Sequence, residues 1–182
     1  MYYEILSAFC KSLRGSDANA ALYYMHRLIA GGCDPLLLAR RLVVHSSEDV
    51  GMADPMALVV ATSALTAFKD IGLPEGLIPL SNAVIYVCEA PKSNSTIIAM
   101  EAAQHDAKTV RADSVPGHLK NAVYGSSEDK KESANYKYPH NYGGWVKQQY
   151  LPDELKDRVY YKPTSNGFEN TVKEIRKQKG KE

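Results

Sequence analysis

The sequence predicts an all-α fold, in which a multi-helix bundle is followed by an extended C-terminal arm rich in aromatic residues and proline. Apolar residues recur at helical spacing throughout residues 1–110, and glycine and proline divide that stretch into short segments. No segment there alternates between apolar and polar residues as a half-buried strand would. Because the helices are short and joined by tight turns, we expect them to pack together as a bundle.

The first two helices are defined by apolar spacing and by residues that favour helix ends. The first spans residues 2–14 and ends at Gly15. Ser16 or Asp17 then caps a second helix that continues to about Ala30. The side chains that share one face of the first helix are Ile5, Leu6, Phe9 and Leu13. Their spacing predicts that this face packs against the rest of the bundle.

The next two helices each begin with Asp-Pro, at residues 34–35 and 54–55. Aspartate is a favoured N-cap, and proline fits the first position of a helix. The third helix is predicted over residues 35–48 and the fourth over residues 55–71. The fourth is apolar on nearly every side, which places it either in the centre of the bundle or in a contact between subunits. Its candidate interface residues are Leu58, Val59, Leu65 and Phe68.

Two further helical segments complete the bundle. Pro74 begins the first of them, and Pro79 opens its apolar run over residues 80–88. Ser93 or Ser95 caps the second, which continues to about Lys108. We therefore assign residues 1–110 to a helical bundle that serves as an oligomerisation core.

Residues 111–182 are expected to form short helices, an aromatic arm and a basic C-terminal helix over residues 168–179. Six of the 12 tyrosines and the single tryptophan lie in residues 136–161, where prolines and glycines prevent long helices. Large aromatic rings need a partner, so this half should pack on the bundle or on a neighbouring subunit. The candidate interface residues of the arm are Tyr138, Tyr142 and Trp145. A surface that stacks single-stranded bases has the same composition and is the alternative interpretation.

The net charge of +1 conceals an uneven distribution. Residues 1–110 contain 8 Lys/Arg and 11 Asp/Glu, whereas residues 111–182 contain 14 Lys/Arg and 10 Asp/Glu. A DNA-binding module that uses the basic, aromatic C-terminal half is therefore the alternative to an oligomerisation domain. The candidate DNA contacts are Arg40, Arg41, Lys92, Lys120, Lys137 and His140. For Arg40 and Arg41 the simpler interpretation is an ion pair with Glu48 or Asp49, further along the same helix.

The sequence lacks the motifs of the common hydrolytic enzymes. It contains no GxxxxGKS or GxxxxGKT loop for nucleotide phosphates, no HExxH zinc motif and no GxSxG nucleophile elbow. We therefore expect no catalytic, cofactor-binding or metal-binding residue in this chain. His45 lies one turn from Glu48 and Asp49 and could share a metal ion with them. A hydrogen-bonded structural histidine is the favoured interpretation.

Cysteine usage and hydropathy indicate the compartment. The three cysteines are far apart, which is typical of a protein kept in a reducing cytosol and not of a disulfide framework. The sequence has no run of 18 apolar residues, so we expect no membrane partner.

Several short blocks occur in an order that identifies a family. In the first half of the chain they are SAF (residues 7–9), RGSD (14–17), ARRL (39–42), SEDVG (47–51), IPL (78–80), AVIY (83–86) and APKSN (90–94). In the second half they are HLKNA (118–122), YKYPH (136–140), GGW (143–145) and QYLP (149–152). Together these blocks resemble the C-terminal domain of the MgsA/RarA family of AAA+ ATPases, which includes the Werner-helicase-interacting ATPase. The match departs at Tyr142, where proline is common, and in the polar residues 124–135, which affects a loop more than the fold.

The resemblance implies an architecture and a set of partners. The fold would resemble a clamp-loader collar, through which the chain forms a homo-oligomer, a tetramer. An N-terminal AAA+ module outside this sequence would bind ATP and Mg²⁺, and the helical start at Met1 is what a sequence taken from inside a longer protein would show. The whole protein would act in replication, recombination and repair at stalled forks, with DNA and single-strand-binding protein as partners. Its location would be cytoplasmic and associated with the nucleoid.

Overall fold

Eight α-helices and no β-strand occur in the described residues of the computed structural model, which are 1–112, 115–121 and 123–181. The prediction of an all-α fold is therefore confirmed. Ala122, the last residue of the block that begins at His118, lies outside the described residues.

The chain forms two compact units. Unit 1 consists of residues 1–99 and 161–174, and unit 2 consists of residues 100–160 and 175–182. The helices of unit 1 are α1 (Tyr2–Arg14), α2 (Ala18–Ala30), α3 (Pro35–His45), α4 (Met56–Ile71) and α5 (Leu77–Glu89). Helix α7 (Ser127–Ser133) belongs to unit 2, whereas α6 (Ser95–Thr109) and α8 (Phe168–Gln178) each begin in unit 1 and end in unit 2.

Aspartate side chains accept hydrogen bonds from backbone amides at three helix starts, and of the two residues predicted to cap the second helix, Ser16 and Asp17, it is Asp17 that does so. The Asp17 carboxylate accepts a hydrogen bond from the Ala20 amide at 2.8 Å. Asp34 accepts one from Leu36 at 2.9 Å, and Asp54 accepts one from Met56 at 3.0 Å. Each bond satisfies an amide that has no partner inside its own helix.

Helix α3 ends earlier than predicted. The α-helix stops at His45 and continues as a π-helical turn over Ser46–Val50, where the Gly51 amide bonds the Ser46 carbonyl five residues back. Gly51 has a φ of +50°, a left-handed conformation that favours glycine and lets the chain turn away. The apolar spacing alone does not distinguish a π turn from a last α-helical turn.

Helix α4 contributes small side chains to the core. Its buried residues are Ala57, Ala61 and Ala64, followed by Phe68 near its end. The alanines allow α4 to lie close to α3 and α5, both of which it contacts. The larger core side chains come from the other helices of unit 1 and include Phe9, Leu13, Met25, Leu38, Leu42, Leu80, Val84 and Val87.

Unit 2 contains mostly short elements. Besides α7 it has 3₁₀ turns at Gly117–Leu119, Pro139–Tyr142 and Asp153–Leu155. Hydrogen bonds connect separate segments of unit 2. The His118 ring lies 2.7 Å from the Gln149 carbonyl oxygen, and the Lys120 ammonium donates to Asp129 of α7 at 2.9 Å. Among the described residues, no helix combines the length and apolar character that crossing a membrane requires.

Candidate functional site

The first turn of α4 carries large apolar side chains on its outward face. Met56 is 52% exposed, Leu58 43% and Val59 52%. In the middle of the same helix the exposed positions are polar, for example Thr66, seven residues after Val59. At its last residue Ile71 is again 53% exposed. Helix α4 is thus not apolar toward solvent along its whole length, and its exposed large apolar side chains lie in its first turn and at its last residue.

The other two candidate interface residues of α4 face the bundle. Phe68 is buried, and Leu65 is half-buried against the core. Helix α5 adds exposed apolar side chains at Ile78 and Ile85, which are seven residues apart and share a face. Exposed apolar groups of this size concentrate at interaction surfaces.

The candidate interface residues of the arm are at least partly open to solvent. Tyr138 and Tyr142 are each more than half exposed, and Trp145 is half-buried. The Tyr138 ring lies beside the His140 imidazole, with a centroid distance of 5.1 Å.

Four of the six candidate DNA contacts have exposed side chains. Arg40 and Arg41 project from α3, and neither forms an ion pair with another described residue. Lys137 and His140 are exposed in the arm. These four side chains remain available for a phosphate group.

Lys92 and Lys120 are engaged inside the chain. The Lys92 ammonium donates to the carbonyls of Val87 (2.8 Å), Cys88 (2.8 Å) and Ala90 (2.7 Å), which lie at and just beyond the end of α5. All three of its donors are used, and burial lowers the pKa of this side chain below its usual value. Lys120 is paired with Asp129 at 2.9 Å and with Glu132 at 3.2 Å.

The acidic residues after α3 pair with Arg14, and the predicted partners Arg40 and Arg41 are not involved. Arg14 Nε donates to Asp49 at 2.8 Å, and its Nη2 lies 3.6 Å from Glu48. Glu48 and Asp49 lie in the π-helical turn, and Arg14 is the last residue of α1. The prediction that Arg40 or Arg41 pairs with these acids is therefore wrong.

His45 has the structural role that the sequence favours. Its Nδ1 lies 2.7 Å from the Asp49 carboxylate, and both side chains are buried. Asp49 raises the pKa of His45 to about 9, with Cys10 contributing as well. Burial would raise the pKa of Asp49, but the hydrogen bonds from His45 and Arg14 outweigh it and leave that pKa lowered. The pair is therefore charged at neutral pH.

A second buried carboxylate, Glu169, was not identified from the sequence. It lies at the start of α8, is fully buried, and accepts hydrogen bonds from Ser95 (2.8 Å), Tyr161 (2.9 Å) and Thr164 (3.1 Å). Burial works to raise the pKa of Glu169, but these hydroxyls, together with Ser93, leave it lowered. The bonds attach residues 161–174 to the helices of unit 1, which is a structural role.

The buried polar side chains of the described residues are paired within the chain. Every buried side-chain nitrogen or oxygen among them has a hydrogen-bond partner. Nowhere in residues 1–112, 115–121 and 123–181 do three His, Cys, Asp or Glu side chains group as metal ligands would. The exposed features available to a partner include the apolar first turn of α4, Ile78 and Ile85 of α5, the two arginines of α3 and the arm.

Comparison with known proteins identifies relatives over nearly the whole chain. The family model described as "MgsA AAA+ ATPase C terminal" matches residues 15–179. Replication-associated recombination protein A of Bacillus subtilis is 49% identical over 176 residues, which cover 96% of this chain and 42% of that protein. The protein of the same name in Escherichia coli K12 is 39% identical over 175 residues, covering 95% of this chain and 39% of that protein.

A eukaryotic relative shows the same relationship. ATPase WRNIP1 of Dictyostelium discoideum is 36% identical over 162 residues, which cover 88% of this chain and 18% of that protein. The chain thus spans about two-fifths of the length of the two bacterial relatives.

Proposed function

The chain belongs to the family of MgsA AAA+ ATPase C-terminal domains, and we propose that it is the oligomerisation domain of an AAA+ ATPase that acts in DNA replication, recombination and repair. In this proposal four copies associate through the exposed apolar surface of unit 1. The assembly holds the ATPase modules together, so that they act on one DNA substrate.

The names of the relatives support the cellular role. Two of them are replication-associated recombination proteins, and a third is named as an ATPase. We place ATP and Mg²⁺ in an AAA+ module outside this sequence, and we assign DNA and single-strand-binding protein as partners of the whole protein. Stalled replication forks are the proposed site of action, in the cytoplasm and at the nucleoid.

The apolar first turn of α4 is the observation on which the assembly proposal depends. Met56, Leu58 and Val59 are each about half exposed, although the same helix buries alanines on its inner face. Burying apolar area contributes about 25 cal/mol per Å². Stable oligomers remove such side chains from water over interfaces of about 2,000 Å² or more.

Light scattering coupled to size-exclusion chromatography tests this proposal. The chain should elute with a mass near four times its 20.1 kDa at tens of micromolar concentration. Val59→Glu and Leu58→Glu each place a charge in the proposed interface and should lower that mass. Thr66→Glu is the matched control, because it adds the same charge to an exposed position two turns along α4.

Two results would count against the proposal. A chain that is monomeric at every concentration does not assemble by itself. Equal loss of mass in the Thr66→Glu control would show that charge on α4, and not its apolar end, controls association.

A further inference from the structure

Two tyrosines of the arm line a cleft in unit 2. The cleft has a volume of about 430 Å³, and its lining residues are His118, Leu119, Lys120, Ser133, Tyr136 and Tyr150. Tyr136 is 40% exposed and Tyr150 is 51% exposed, so both aromatic side chains are accessible from solvent. Leu119 adds an apolar side chain between polar neighbours.

The two tyrosines belong to chain segments that hydrogen bonds hold together. The Gln148 amide donates to the Lys137 carbonyl at 2.8 Å and to the Tyr150 hydroxyl at 2.9 Å, and its oxygen accepts from the Lys137 amide at 3.2 Å. A hydrogen bond between the His118 ring and the Gln149 carbonyl holds the segment that contains Gln148 and Tyr150. The Tyr150 ring is therefore held by its hydroxyl, and the segment that carries Tyr136 is tied to it, before any ligand binds, which lowers the entropic cost of binding.

The charge around the cleft favours an anionic partner. Residues 133–152 contain no aspartate or glutamate, and Lys137 and Lys147 are exposed within that range. The acidic side chains Asp129 and Glu132 of α7 are paired with Lys120, and Asp153, directly after that range, accepts a hydrogen bond from Gln149 at 2.7 Å. Exposed aromatic rings on segments that also carry exposed lysines are a combination that binds the bases and the backbone of single strands.

We propose that this cleft binds single-stranded nucleic acid, with bases stacked on Tyr136 and Tyr150 and phosphates near Lys137 and Lys147. A duplex does not fit this mode, because its bases are already stacked on one another and their faces are inaccessible. The inference extends the proposed action on DNA by naming a contact surface. It does not depend on assembly, because all the residues involved belong to unit 2.

Fluorescence anisotropy with a labelled oligothymidylate of about 20 nucleotides tests the cleft in the full 182-residue chain. Stacking on one aromatic ring contributes about 1–3 kcal/mol per base, so Tyr136→Ala and Tyr150→Ala should each weaken Kd by at least about fivefold. Tyr136→Phe and Tyr150→Phe keep the ring and should bind within about twofold of the original chain. Tyr23→Ala removes an exposed tyrosine of unit 1 and serves as the control.

Salt dependence supplies a second measurement. Each phosphate that is neutralised on a single strand contributes about −0.7 to the slope of log K against log salt. Lys137→Gln and Lys147→Gln should each reduce the magnitude of the slope by about that amount, without changing the fold measured by circular dichroism. If Tyr136→Ala fails to fold, Tyr136→Leu takes its place in the test, because leucine keeps a large side chain but has no aromatic ring.

Several results would overturn the inference. They are absence of oligonucleotide binding, equal binding by the alanine variants, and equal competition by a duplex of the same length. Tyrosine-dependent binding of an acidic peptide, with no binding of oligothymidylate, would assign the cleft to a protein partner instead. The mass measured by light scattering reports assembly separately, so failure of this inference and failure of the assembly proposal are distinguishable.

Discussion

Replacing Lys92 with methionine should destabilise unit 1, because its ammonium donates to three carbonyl oxygens at and just beyond the end of α5. Hydrogen bonds to charged groups contribute about 1.5–3 kcal/mol each, which sets an upper limit of roughly 5–9 kcal/mol for the three. The true value must be lower, since Lys92 is only partly buried and water can reach some of the carbonyls after the substitution. Burial also lowers the pKa of Lys92, which shows that holding the charge there has a cost. We therefore expect a loss of about 2–4 kcal/mol.

Urea unfolding followed by circular dichroism measures this loss directly. For a chain of this length, 1 kcal/mol corresponds to about 2–4 °C in Tm, so Lys92→Met should lower Tm by about 5–15 °C. Lys92→Arg should restore part of the stability, because a planar guanidinium retains the charge but cannot direct its donors at three converging carbonyls. Lys11→Met is the matched control, since Lys11 is exposed on α1 and should change stability by no more than about 0.5 kcal/mol. A Lys92→Met chain as stable as the Lys11→Met control would refute this reasoning.

Three further predictions concern the buried polar groups and the contact made by residues 161–174. The pKa of His45 is raised to about 9, so the stability that its charged form contributes, up to about 3 kcal/mol, is complete below pH 6.5 and is lost as pH rises toward 9. Urea midpoints measured across that range should show this loss, and His45→Gln should remove the pH dependence. Gly167→Ala should cost more than about 2 kcal/mol by thermal unfolding, because φ is +54° and the new Cβ would meet the Ala53 carbonyl, whereas Gly143→Ala, with φ of +72° and open space, should cost about 1 kcal/mol. Glu169→Gln should lower the urea midpoint by the equivalent of about 1–3 kcal/mol, because an amide cannot accept all the hydroxyl bonds that the carboxylate accepts.

Each of these predictions has a result that would contradict it. Equal pH dependence in the original chain and in His45→Gln would mean that another group titrates. Equal losses for the two glycine variants would show that backbone conformation, and not the close approach to Ala53, sets the cost. An unchanged urea midpoint in Glu169→Gln would mean that residues 161–174 are held by other contacts.

The local features of the fold could be predicted because they depend on residues close in sequence. The bounds of α1, the end of α2 at Ala30, the hydrogen bonds of Asp34 and Asp54 and the helix end at Gly72 follow from spacing, capping and glycine, whereas the cap of α2 was left open between Ser16 and Asp17. The start of α5 was less well predicted: the helix begins at Leu77, and Pro79 lies in its first turn, where an absent amide hydrogen costs no hydrogen bond. Spacing and capping thus predict that a helix is present better than they predict its first residue when proline lies near its start.

The polar contacts could not be predicted in the same way, because they join distant parts of the chain. Arg14 meets Asp49 across 35 residues, and Ser95 meets Glu169 across 74. Nothing in the composition near either acid indicates its partner. Lys92 is different, since a lysine three residues after the end of α5 is well placed to bond terminal carbonyls. The position of Lys92 therefore indicates a structural role at the end of α5, although its charge also made it a candidate DNA contact.

The two proposed activities depend on different side chains, and this determines how they can influence each other. The assembly surface uses Leu58 and Val59 of unit 1, whereas the stacking cleft uses Tyr136 and Tyr150 of unit 2. Substitutions that share no partner contribute independently to the free energy, so a charge at Val59 should leave the affinity of one cleft unchanged. Assembly would nevertheless bring several clefts to one strand, and binding at the first raises the effective concentration of strand at the next. Any coupling between assembly and nucleic-acid binding must then grow with oligonucleotide length, because only a strand that spans two clefts gains from a second copy of the chain.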